Sequence, residues 1–200
     1  VKRLGELLLV LLLSGCAALP VPETAPATSN PATVTDWTIT GRISLTRGEE
    51  GWHAGLDWEN RADRYHLQVT GPLGQGALQL SGTPAGVTLI DSEARVHAAR
   101  DVDALLAQVT GWDIPVAGMQ YWVRGVSAPD GAARISLDPQ GRLQQLEQSG
   151  WVIIYQRYRS IGGYDWPSRL KLVHDDLAVR LVIDQWQLDT LPAPSVDLTP

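Results

Sequence analysis

The sequence predicts a mainly β protein: an open (unclosed) antiparallel β-barrel of about eleven strands, with two or three helices over its concave side. Three observations predict it. From Trp37 onward, apolar and polar residues alternate with period two in run after run. Short turns containing Gly or Pro separate the runs, as antiparallel hairpins require. Helical spacing appears only in the middle, between Asp101 and Gly125.

In chain order, the first element lies outside the barrel. Lys2 and Arg3 precede an apolar run, LLLVLLL, from Leu7 to Leu13, and the small residues Ser14 and Gly15 lead into Cys16. That run is far short of the ~20 apolar residues a membrane span needs, so residues 1–15 read as a secretory signal. Residues 16–36 follow as a tether. The stretch ALPVPETAPATSNPATVTD is rich in Pro, Ala and Thr and has no hydrophobic period.

The folded domain is expected over residues 37–188. Trp37, Ile39, Ile43 and Leu45 share one face of the first strand; Trp52, Ala54, Leu56 and Trp58 do so in the second; Tyr65, Leu67 and Val69 in the third. Further strands are expected at 76–81, 87–91, 95–98, 134–138, 143–148, 151–158, 169–174 and 178–187. Thr83-Pro84-Ala85-Gly86 and Asp138-Pro139-Gln140-Gly141 are good turn sequences. Asp101 can cap a helix carrying Val102, Leu105, Leu106 and Val109, which Gly111 stops. Pro115 suits the first turn of a second, with Val116, Met119, Trp122 and Val123 on one side and Gly125 at its end. Residues 189–200 form a tail. Periodicity does not decide whether the concave face is filled by side chains or left partly hollow.

Composition narrows the function. There are 16 basic and 22 acidic residues, a net −6; without residues 1–15 the balance is −7. No basic run exists to follow a phosphate backbone, which argues against nucleic acid. The single cysteine, Cys16, excludes an internal disulfide and a thiolate zinc site. His53, His66, His97 and His174 form no i, i+4 pair, and His174-Asp175-Asp176 reads as a polar turn. No serine sits in G-x-S-x-G. Gly71, Gly74 and Gly76 join two strands, whereas a phosphate loop needs a helix after its glycines. An enzyme is not the leading reading, and no cofactor or metal is expected.

One loop stands apart. In QVTGPLGQGALQL, the turn Gly71-Pro72-Leu73-Gly74 puts a leucine where a hairpin tip is usually polar. Leu73 is either a plug for one end of the barrel or an exposed apolar probe.

Leu13-Ser14-Gly15-Cys16 resembles the bacterial lipobox, which implies cleavage before Cys16 and acylation of its sulfur and amine. Ala17, in place of Asp, implies sorting to the outer membrane. Beyond it, TGPLGQGALQLSG, TGWDIPVAGMQYWVRG, GRLQQLEQSGWVIIYQRY and WPSRLKLVHDDLAVRLVIDQWQL, in that order, resemble the LolB family, the outer-membrane receptors and insertion factors for lipoproteins. The resemblance implies an open barrel with helices over an apolar cavity. It implies an activity without nucleotide or cofactor. Lipoproteins pass from a soluble, LolA-like periplasmic carrier into the cavity and then into the inner leaflet of the outer membrane. Leu73, with Pro72 and Gly74, matches the family's protruding apolar loop. Family members often carry a helix before the barrel, which the proline-rich PETAPATSNPATVTD disfavours. On this reading the protein is an anchored monomer facing the periplasm. The residues expected to line the cavity are Trp52, Leu56, Trp58, Leu67, Leu80, Leu89, Met119, Trp122, Tyr155 and Trp186. Two other readings share much of this pattern: a passive lipid- or small-molecule-binding lipoprotein, and a structural subunit of an outer-membrane assembly with a filled interior.

Overall fold

The computed structural model describes residues 31–188 apart from Gln75. The leader, Cys16 and the tail from residue 189 lie outside the described residues, as does the side chain of Leu73.

Eleven strands form one antiparallel sheet. They are β1 (Trp37–Arg47), β2 (Glu50–Arg61), β3 (Arg64–Thr70), β4 (Leu78–Thr83), β5 (Gly86–Ile90), β6 (Val96–Ala99), β7 (Ala133–Leu137), β8 (Leu143–Gln148), β9 (Trp151–Ile161), β10 (Tyr164–His174) and β11 (Leu177–Leu188). Their order is β6-β5-β4-β3-β2-β1-β11-β10-β9-β8-β7. Sequence neighbours pair as hairpins, and β1 joins β11 in the middle. The edges, β6 and β7, do not pair, so the barrel is open there. The chain between them carries α1 (Val102–Thr110) and α2 (Val116–Trp122), so both helices arise where the sheet fails to close.

The signals of α1 act as expected, whereas Pro115 stands one residue before α2 instead of inside its first turn, and Val123 follows its end. The Asp101 carboxylate accepts the Ala104 N–H at 2.9 Å, and Gly111 takes the left-handed conformation that ends α1. The Asp103 carboxylate accepts the Ala117 N–H, tying α1 to the start of α2.

Alternation buries one face of each strand: Ile43 and Leu45 in β1, Leu56 and Trp58 in β2, Leu67 and Val69 in β3. β1 meets β11 with a register shift at Thr40/Gly41, where Asp184 is the extra residue. A Cβ on Gly41 would lie 2.1 Å from the Val182 carbonyl oxygen, so the close approach needs glycine.

The two outermost hairpins use one device. Asp91 accepts the N–H groups of Glu93 and Arg95 and the Nε–H of Arg95; Asp138 accepts those of Gln140 and Arg142 and the Nε–H of Arg142. In each, the residue before the arginine, Ala94 or Gly141, is left-handed.

The barrel has two unlike ends. At one, Trp37, Trp58, Trp166 and Trp186 form a cluster, with ring centroids 5.3 Å apart for Trp37–Trp58, 5.7 Å for Trp37–Trp186 and 4.7 Å for Trp166–Trp186. This is a packed base. The folded part also begins earlier than the sequence implies. Val34 is buried, its carbonyl accepts from Arg124 at 2.8 Å, and Thr35 and Asp36 are held by Asn60 and Ala62. A lone apolar residue in a Pro/Thr-rich stretch carries no period, so the sequence assigned it to the tether.

Candidate functional site: an apolar cavity with one mouth

The other end is not packed. The β1–β2 hairpin, the β3–β4 loop, the β5–β6 hairpin and the loop between the helices meet there by topology. Below them a cavity of about 380 Å³ runs between the sheet and the helices. Its volume lies at the small end of ligand pockets.

Six of the ten expected residues line it: Trp52, Leu56, Trp58, Leu67, Leu80 and Met119. Trp58 is its floor, shared with the base cluster. Trp52, 37% exposed, stands at the mouth. The other four are placed elsewhere. Trp122 donates its indole N–H to the Gln148 Oε1 at 2.9 Å; the Tyr155 hydroxyl donates to the Trp122 carbonyl at 3.0 Å; the Trp186 N–H donates to the Pro167 carbonyl at 2.9 Å. These aromatic rings carry polar tips, and where such tips find buried partners the ring is pinned to the core. Leu89 is fully buried in β5 away from the cavity.

Apart from Met119, the expectation missed the helix side of the wall. Leu106 and Val109 of α1, Trp112 and Val116 all face the cavity. The i, i+3, i+4 stripe of α1 was visible in the sequence. Which sheet residues it faces was not.

The mouth has a defined rim. The Arg47 guanidinium lies 4.8 Å from the centroid of the Trp112 ring and donates to the Gly111 carbonyl at 3.5 Å, holding the helix–helix loop against the end of β1. On the opposite rim Asp91 is ringed by donors. His97 Nε2 lies 2.9 Å away and Arg95 Nε 2.8 Å, with two backbone N–H groups besides. His97 first, and Arg95 with those N–H groups after it, hold the Asp91 carboxyl well below the usual carboxylate range. Its charge is thus satisfied within the protein.

The β3–β4 loop rises between two surfaces. Pro72–Gly74 make a 3-10 turn in which the Gly74 N–H donates to the Gly71 carbonyl at 3.1 Å. Gly71 and Pro72 border a groove on the outer face of the sheet, while Gly76 and Ala77 border the cavity. The backbone of Leu73 therefore stands on the rim.

Among the described residues, no three His, Cys, Asp or Glu side chains gather to hold a metal ion, and no helix is long and apolar enough to cross a membrane.

An open antiparallel barrel with helices over an apolar hollow is a fold shared with known structures. A LolA superfamily protein from Nitrosomonas europaea aligns with TM-score 0.51 at 9% identity, over 80% of this chain and 89% of that one. A putative outer membrane lipoprotein-sorting protein domain from Vibrio parahaemolyticus aligns with TM-score 0.52 at 9% identity, over 78% and 86%. In sequence, the family model for outer membrane lipoprotein LolB matches residues 35–186. The outer-membrane lipoprotein LolB of Ectopseudomonas mendocina is 39% identical over 189 residues, 90% of this chain and 93% of that protein. That of Stutzerimonas stutzeri is 37% identical over 196 residues, 93% of this chain and 95% of that one. The chain belongs to the LolB family: it is an outer-membrane lipoprotein of the lipoprotein-localisation pathway, not an enzyme.

Proposed function

We propose that the protein receives lipoproteins from a soluble, LolA-like periplasmic carrier, holds their acyl chains in the apolar cavity and releases them into the outer membrane. Acylated Cys16 anchors it to the inner leaflet, and the domain works as a monomer facing the periplasm, without a cofactor. The observation that carries this reading is the apolar cavity with the end of the β3–β4 loop, Gly76 and Ala77, on its rim.

The physics is that of hydrocarbon in water. A dozen exposed methylenes cost about 10 kcal/mol per chain. Transfer therefore needs a dry compartment that meets the carrier directly and opens at the bilayer. A cavity of about 380 Å³ must widen for several chains, and the unclosed β6/β7 side covered by two short helices is where the walls can part. Leu73 acts as an apolar probe on a stiff turn. Its burial in the interface contributes about 1.5–3 kcal/mol, too little to hold a domain. The anchor supplies the effective concentration that populates so weak a contact. Direction follows if the cavity holds acyl chains more tightly than the carrier and the membrane drains it.

Transfer from the carrier to liposomes tests this. Leu73→Glu is expected to fold, accept cargo and release it slowly. Insertion at the parent rate would contradict the role of the loop and would suit a passive binder instead. Tighter binding of acyl chains by the carrier would contradict the first source of direction.

A further inference from the structure

The outer face of the sheet carries a concentration of positive charge that the strand register makes explicit. One row of paired residues runs Thr70, Gly55, Arg42, Val182, Arg169, Arg157 across β3, β2, β1, β11, β10 and β9. The next row runs His53, Ser44, Arg180, Lys171, Ile154. Arg169 lies directly opposite Arg157, and Lys171 directly opposite Arg180. Like charges at directly opposed positions destabilise a sheet. Only Arg42 has a carboxylate partner, Asp184 at 2.9 Å. Among the described residues Arg157, Arg169, Lys171 and Arg180 make no ion pair; of the nearby carboxylates, Asp57 lies two residues beyond Gly55 on β2, and Glu147 lies on β8, where it pairs with Arg134.

This arrangement weakens the fold it sits on, in a chain of net charge −6. The shallow groove over the rows is lined by Arg42, His53, Arg169 and Arg180, and it ends at Gly71 and Pro72, the foot of the rim loop. The same loop therefore touches the basic face with its first residues and the cavity with its last.

We infer that this basic outer face is a docking surface for anionic phospholipid headgroups, which lays the domain on the bilayer beside its open mouth. Clustered cations near an anionic leaflet are drawn to it and released by salt. Such a face lets a net-acidic protein lie flat against an anionic membrane instead of being held off it by repulsion.

The test uses the full chain with a fluorescent amino acid at Ser44, reconstituted in phosphatidylethanolamine vesicles with or without phosphatidylglycerol and with a headgroup quencher. Phosphatidylglycerol is expected to raise quenching, and added salt to reverse the rise. Each cation neutralised should lower the docked-to-undocked ratio by roughly five-fold. The combined variant R157Q/R169Q/K171Q/R180Q should behave on both membranes as the parent does on phosphatidylethanolamine alone. Because it loses two like-charge pairs, it should unfold at the same temperature or higher, so a loss of docking is not misfolding. The charge-preserving R169K/R180K should keep docking. Equal quenching on both membranes, parent-like quenching of the combined variant, or loss of docking in R169K/R180K would overturn the proposal. So would a reporter that ignores phosphatidylglycerol but responds to an acidic soluble protein, which would give the face to a protein partner.

Discussion

Gln148 shows how much of this fold hangs on single polar contacts. It is 2% exposed, and its Oε1 accepts from the Trp122 indole and the Ala128 N–H, both at 2.9 Å, while its Nε2 donates to the Ala128 carbonyl. Gln148→Leu leaves those donors buried without acceptors, a loss of roughly 3 kcal/mol, read from chemical denaturation. Gly41→Ala drives a methyl group into the β11 backbone and should cost about 2–4 kcal/mol by the same measurement. Asp91 acts through pH. Its carboxyl ionises more readily folded than unfolded, so its stabilisation is complete above the unfolded carboxylate pKa of about 4 and fades as pH falls toward the folded value. The thermal midpoint should therefore decline on acidification below about pH 4 in the parent and less steeply in Asp91→Asn; parallel declines would show that Asp91 has no part in it. None of these partners was legible in the sequence. Gln148 reads there as one more polar residue in an alternating strand, and its partners lie 17 or more positions away.

Elements were far more legible. Eleven strands and both helices form close to where alternation, turn residues and caps put them, because each signal is local: period two, an Asp before an apolar stripe, a Gly after it; the exception is the β9–β10 hairpin, whose strands reach Ile161 and Tyr164, well past the expected bounds of 158 and 169. What alternation reports is a face, not what covers that face. Leu80 and Leu89 are opposed on β4 and β5, equally buried, yet only Leu80 meets the cavity. The difference is made by where the helices settle, a long-range matter. The paired end hairpins give an element-scale prediction. Gly141 takes its left-handed conformation freely, whereas Ala94 at the matching position pays for its Cβ. Ala94→Gly should raise stability by about 1 kcal/mol, partly offset by the entropy glycine adds to the unfolded chain; a clear fall in the thermal midpoint would show that the strain is absent.

At the scale of the molecule, the N-terminal entry to the barrel and the cavity mouth sit at opposite ends. Val34 docks beside the base, by Asn60 and Arg124, while the mouth and its loop lie at the far end of the barrel. A domain of this size is roughly 40 Å across. Fifteen Cα-to-Cα steps lead from Cys16 to Pro31. Fully stretched they span about 50 Å, so the proposed anchor at Cys16 would let the domain turn its mouth to the membrane. Deleting residues 20–29 should therefore leave uptake from the carrier intact and slow insertion into liposomes severely; equal insertion would mean that the domain acts without turning.

The central claim, that hydrocarbon chains enter this cavity, is tested most directly by a cargo lipoprotein bearing a photoreactive group at its acyl-chain end, with the cross-linked residues mapped by mass spectrometry. The account predicts adducts on Leu67, Leu80, Met119 and Val109, and none on Leu89, Tyr155 or Trp186. Adducts confined to the outer face of the barrel, or spread evenly over both sets, would contradict it.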